Sequence, residues 1–79
     1  MRHRWLPVMR HQLGMRVADA WVLVAAARDG LGQTDAARAA YENATSLAPA
    51  IELHRRYPDT QPLATRYPSA AFPTKAVQA

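Results

Sequence analysis

The chain has no cysteine. That absence removes disulfides, thiolate metal ligands and thiol nucleophiles together, and it leaves a small core without a covalent staple. It is compatible with reducing and oxidising compartments alike. Long apolar runs are also missing: the longest, Ala20 to Ala27, has eight residues, whereas a helix needs roughly twenty to cross a bilayer. No membrane span is expected. Glycine is scarce, with three in the whole chain, and none builds a phosphate-cradling loop or flanks Ser46 in a nucleophile elbow. His3, His11 and His54 share no helical i, i+4 spacing, and without thiolates they make no metal set. Asp29, Asp35 and Glu42 are each explicable as solvated or capping charges. No catalytic residue, metal site or cofactor is therefore expected.

What is present fits one small domain. A chain of 79 residues buries only about 60% of its unfolded surface, so a partner or a second copy would strengthen it. The net charge of +4 is local. Residues 1–17 hold Arg2, Arg4, Arg10 and Arg16 and no acid, while residues 18–79 carry six basic and six acidic side chains and sum to zero. Four arginines spread along an N-terminal arm fall short of the clustered charge that phosphate backbones and anionic membranes require. A solvated terminus is the simpler reading. A secretory or organellar leader would meet interruptions at Pro7 and Asp19. Pro7 permits a short helix through Val8, Met9, Gln12 and Leu13 before Gly14, but too short to persist unaided.

Residues 18–29 are alanine-rich and free of proline and glycine, which predicts a helix with Ala20, Val24, Ala27 and Leu31 on one stripe and Trp21, Ala25 and Arg28 beside it. Gly30-Leu31-Gly32-Gln33-Thr34 breaks that helix, and Thr34 or Asp35 is placed to cap the next. Residues 35–48 then repeat the helical period, with Ala37, Ala40, Tyr41, Ala44, Leu47 and Ala48 on one face. Two helices joined so briefly must run antiparallel. Pro49 ends the second and can open a third short helix over residues 50–57, laying Ile51, Leu53 and Tyr57 over the open end of the hairpin. Beyond Tyr57, the prolines at 58, 62, 68 and 73 predict an extended or disordered tail over residues 58–79. Arg56-Tyr57-Pro58 recurs as Arg66-Tyr67-Pro68 ten residues later. Biased composition is enough to produce that echo, and a docking motif is the other reading. The expected fold is thus all-α: a basic arm at 1–17, a helical hairpin with a short third helix at 18–57, and a proline-rich tail.

Hairpin packing needs small residues where helices touch and large ones where a gap must be filled. Trp21 and Tyr41 are the fillers and are expected to share one seam, with Ala25, Ala37 and Ala44 permitting close approach and Gly32 fitting the turn. In this the chain resembles one unit of the tetratricopeptide repeat family. Trp21, Ala25 and Gly32 match the family's first helix and turn; Ala37, Tyr41, Ala44, Leu47 and Pro49 match its second helix in order and spacing. Arg28 stands where the family usually has an aromatic. Asp19 to Leu23 with Leu31 to Tyr41 is also similar to the repeats of cytochrome c maturation proteins, and Leu31 to Tyr41 with Glu52 to Arg56 to the helical extension of some extracytoplasmic-function sigma factors. The resemblance implies a protein-interaction module, a truncated or orphan repeat that binds a protein or peptide or associates with itself. It places Asp19, Val22, Ala26 and Asp29 on the partner-facing side; ordinary exposed helix surface is the plainer reading of the same four. Two acids and a valine suit an apolar or basic helical segment.

Nucleic-acid binding is the competing class, resting on the arginine arm, Trp5 and the helix-turn-helix outline of residues 18–48. It is disfavoured. The second helix offers Arg38 amid alanines, Asp35 and Glu42, whereas a helix in the major groove brings several basic or amide side chains.

Overall fold

A computed structural model of the chain describes residues 17–72. The arginine arm, Trp5, the short helix expected after Pro7, and residues 73–79 of the expected tail lie outside the described residues. Within them the chain is all-α, and its first two helices pack together as a hairpin. Helix α1 is described over residues 17–30, followed by α2 (Thr34–Leu47) and α3 (Ala50–Arg56). A 3-10 turn (Pro58–Thr60), α4 (Pro62–Arg66) and α5 (Pro68–Ala71) complete the order.

The turn between α1 and α2 follows from one glycine. Gly32 has φ +80°, a conformation that costs a side-chain-bearing residue roughly 1–2 kcal/mol. The Gln33 amide reaches back to the Arg28 carbonyl at 2.9 Å and the Gly32 amide to Asp29 at 3.0 Å, the paired bonds of a Schellman helix end. The cap of α2 differs from expectation. Gln33, not Thr34 or Asp35, is the N-cap residue, and no side-chain cap bond forms; Asp35 instead pairs with Arg38 one turn on, at 3.3 Å.

The buried stripe of α1 is Ala18, Val22 and Ala25, spaced by four and three residues, with the half-buried Asp29 continuing it. The expected stripe through Ala20, Val24, Ala27 and Leu31 is displaced outward: Ala20, Ala27 and Leu31 are exposed and Val24 is half-buried. An alanine-rich helix carries apolar carbon on every side, so its own period does not choose the inward face. On α2 the buried residues are Ala37, Ala40, Tyr41 and Ala44. Leu47, expected beside them, is 54% exposed. Trp21 is half-buried at the margin of the core, and the ring neighbours of the fully buried Tyr41 are His54 at 5.7 Å and Tyr67 at 6.5 Å.

Pro49 is the exposed N-cap residue of α3. The helix turns Ala50, Leu53 and His54 inward, which leaves Ile51 outward at 68% exposure. From here the structure departs from the expected tail, because residues 58–71 form three further helical pieces. Proline lacks an amide hydrogen, but the first turn of a helix has no internal partner for that hydrogen in any case, and its fixed φ suits the position. Each piece has a proline at its start. The residue before a proline is biased out of the helical region, although Gln61 before Pro62 remains helical at φ −54°, ψ −37°. Tyr57 and Tyr67 lie outside it, at φ −128°, ψ 79° and φ −126°, ψ 63°, and Phe72, which precedes Pro73, repeats the conformation at φ −130°, ψ 74°. Their amides still close the preceding helix, as in Tyr57 to Leu53 at 2.9 Å and Tyr67 to Leu63 at 2.8 Å. From α3 onward the chain is therefore a helical staircase that steps at Tyr57-Pro58 and Tyr67-Pro68. It folds back on the hairpin: the Thr45 hydroxyl of α2 donates to the Ala70 carbonyl of α5 at 2.8 Å.

Candidate functional site

The four residues expected to face a partner lie within about 80° of arc on α1, given 100° per residue. The chain's own later residues meet both ends of that side. Val22 has no exposed surface, and Ala26 is half-buried against the core. The Asp19 carboxylate accepts from Arg56 Nη2 at 2.8 Å, from Arg56 Nε at 3.2 Å and from the Tyr57 hydroxyl at 2.9 Å. Asp29 repeats the arrangement: it is paired with Arg66 and accepts from the Tyr67 hydroxyl at 2.7 Å. Both carboxylates are well covered, with side chains 18% and 11% exposed.

These are two copies of one clamp. The acids are ten residues apart on α1, and the Arg-Tyr pairs are ten residues apart on the staircase. Ten residues advance a helix by about 15 Å, so the staircase must climb at the same mean rise to keep both clamps in register. Both copies of the Arg-Tyr-Pro echo thus make the same kind of contact with α1. The signal available in the sequence was the matching interval in Asp19 and Asp29. Arg38 reinforces the second clamp, its guanidinium carbon 5.5 Å from the centre of the Tyr67 ring, within the range of a cation-π contact. The hydrogen bond to the neighbouring carboxylate, then burial, then carboxylate charge, push the hydroxyl pKa values of Tyr57 and Tyr67 upward, against the lowering effect of the nearby arginines.

A buried polar chain links α2, α3 and the 3-10 turn. The Thr60 hydroxyl donates to the Tyr57 carbonyl at 2.6 Å, so its oxygen is left to accept from His54 Nδ1 at 2.7 Å. That assigns the imidazole hydrogen to Nδ1 and leaves Nε2 to accept from the Tyr41 hydroxyl at 2.6 Å. Every member is satisfied. Burial lowers the pKa of His54 from its ordinary value and raises that of Tyr41 to about 12, so both are neutral near pH 7.

Beside this chain an open cleft of about 460 Å³ lies between α3 and the helical pieces that follow it, lined by Ala50, Ile51, His54, Arg55, Gln61, Ala64 and Phe72. His54 brings no reactive group to it, since both ring nitrogens are engaged. Among the described residues, no group of three or more histidines and acids is placed to hold a metal ion, and no helix is long and apolar enough to cross a membrane. No family model matches the chain, and no curated protein or solved structure does.

Proposed function

We propose that the chain is a non-catalytic protein-interaction module of tetratricopeptide-like type, in which the acidic side of α1 receives a segment bearing arginine-tyrosine pairs. One observation carries this reading: two acids ten residues apart on α1 each hold an Arg-Tyr pair, and those pairs are themselves ten residues apart. Recognition of a segment needs directional anchors at fixed separation with apolar contact between them. Asp19 and Asp29 supply the anchors, and the buried Val22 and Ala25 lie between. In the single chain, residues 50–72 are the resident ligand of this platform. The non-catalytic part of the reading draws on His54, whose ring has no lone pair left for a substrate. Nothing in the described residues adds to the nucleic-acid reading, because Arg38 on α2 is already engaged by Asp35 and Tyr67.

The test uses the full-length chain carrying Arg56→Asp and Arg66→Asp, whose own staircase meets Asp19 and Asp29 with like charge. A synthetic peptide of residues 50–72 is titrated into it by calorimetry. Saturable one-to-one binding is expected, and a peptide bearing the same two Arg→Asp changes should not bind. Equal binding of both peptides, or of neither, overturns the platform reading.

A further inference from the structure

We infer that a second copy of this chain is a partner for the α1 face: residues 50–72 of one copy dock on the hairpin of the other, exchanged across the connection Ala48-Pro49. The inference rests on the reading of α1 as a segment-binding platform.

Three observations support it. First, the anchors described above all bridge the same divide. Asp19 to Arg56 and Tyr57, Asp29 to Arg66 and Tyr67, Tyr41 to His54, and Thr45 to Ala70 each join residues 17–48 to residues 50–72. The unit is therefore two halves held by side chains, and those contacts are satisfied equally well when the halves belong to different copies.

Second, the connection is short and already extended. Ala48 has φ −152°, ψ 144° and Pro49 has φ −59°, ψ 144°, and the proline itself keeps Ala48 out of the helical region. A short extended connection is a place where one half can swing out to a second copy once closure within one chain is disfavoured. Third, Leu47 and Ile51 flank the connection at 54% and 68% exposure. Exchange brings two such connections together, and these apolar side chains would then meet at the new contact between copies.

Concentration decides which form dominates. A flexibly tethered segment competes at an effective concentration of about 1 mM, so the intact chain closes on itself at micromolar concentration. Disabling closure within one chain should release the exchanged pair.

The experiment uses two full-length variants. One carries Asp19→Arg and Asp29→Arg, which spoils the platform; the other carries Arg56→Asp and Arg66→Asp, which spoils the segment. Mixed one to one, they can form a pair containing one native and one charge-reversed set of clamps. The expected result is a species of twice the monomer mass in sedimentation, with helical circular dichroism above the sum of the separate variants. A mixture that sediments as monomers overturns the inference.

Since either variant could fail to fold, the unsubstituted chain is also refolded from denaturant at about 1 mM, near the effective concentration of the tether. A separable dimer is expected there, and monomer alone overturns the inference whatever the variants do. Failure of exchange alongside binding of the 50–72 peptide removes the second copy and leaves the platform. Failure of both removes both.

Discussion

The hairpin and the staircase are both helical, yet they persist for different reasons. The hairpin's second helix runs 14 residues and packs through alanine methyls around Tyr41, so burial and close approach hold it together. The staircase helices have seven, five and four residues after the turn at Pro49, far below the dozen or so at which an isolated helix becomes even marginal. They too bury apolar side chains in the shared core, Leu53, Leu63, Tyr67, Ala70 and Ala71 among them, and polar side chains fasten each step to the hairpin: two clamps, the Tyr41-His54-Thr60 chain and the Thr45 bond. The lesson is that local helical preference and tertiary anchoring can substitute for each other. A proline-dense stretch stays helical when each proline opens a helix and each intervening step is fastened elsewhere.

The largest break in this contrast should come at Tyr41, which belongs to both regions. Its ring is fully buried in the hairpin core and its hydroxyl anchors His54 of α3. Tyr41→Ala is expected to cost about 3–5 kcal/mol, as for other large aromatic truncations. Domains of this size have a total stability of about 4–12 kcal/mol, so circular dichroism should show both regions largely lost. Tyr41→Phe sharpens the comparison by keeping the ring. It leaves His54 Nε2 without its donor at a cost of about 1–3 kcal/mol, and the loss should fall on the staircase first.

Next in size are the clamps. Asp19→Ala should cost about 2 kcal/mol, because it removes three hydrogen bonds to a half-buried arginine and tyrosine. Asp29→Ala should cost about 1 kcal/mol, since its partner Arg66 is 59% exposed and solvent screens that pair. Native-state hydrogen exchange would locate the effect. Protection should drop at Tyr67, Ala70 and Ala71 while Ala40, Tyr41 and Ala44 keep theirs. Equal loss in both regions would show that they unfold as one unit.

The hairpin was legible in the sequence because its determinants are local. Gly32 in the turn, alanines at helical spacing and Pro49 before the third helix each act within a few residues. The inward face of α1 was not legible, because apolar carbon surrounds it and the partners of its acids, Arg56 and Arg66, each lie 37 residues away. The staircase was hidden by a rule applied without position: proline breaks a helix in its interior but starts one at its first residue. Of the candidate site, Asp19 and Asp29 stand out in the sequence as acids on one side of α1, while their contacts with Arg56 and Arg66 do not. Pairing Asp19 with Arg56 and Asp29 with Arg66 requires noticing that two intervals of ten agree.

Titration offers a gentler probe of the same divide. Well above pH 6.5 the His54 ring is neutral in folded and unfolded chains alike, and it adds no pH dependence. Below that value the unfolded chain takes up a proton that the buried ring resists, since burial lowers its pKa. Stability should fall as pH drops through 6.5 toward the folded value and then level off. His54→Gln should flatten that decline. At the alkaline end the sign reverses. Tyr41, raised to about 12, keeps its proton when folded after an unfolded tyrosine near 10 has lost it, so stability should decline between those values. Denaturant midpoints across pH would check both limbs.

The smallest effect separates two glycines of the α1 end. Gly30 lies within the helix, and an added Cβ there meets nothing within 4 Å. Gly30→Ala should therefore stabilise by about 0.5–1 kcal/mol, by restricting the unfolded chain and improving helix propensity. Gly32 also has open space around it, but its φ of +80° strains any side-chain-bearing residue, and Gly32→Ala should destabilise by about 1 kcal/mol or slightly more. Because both substitutions add the same methyl to exposed positions two residues apart, their opposite signs would isolate backbone conformation from packing. Thermal unfolding of the two variants measures this directly, and shifts of the same sign would show that the helix end is not held by the left-handed turn at Gly32.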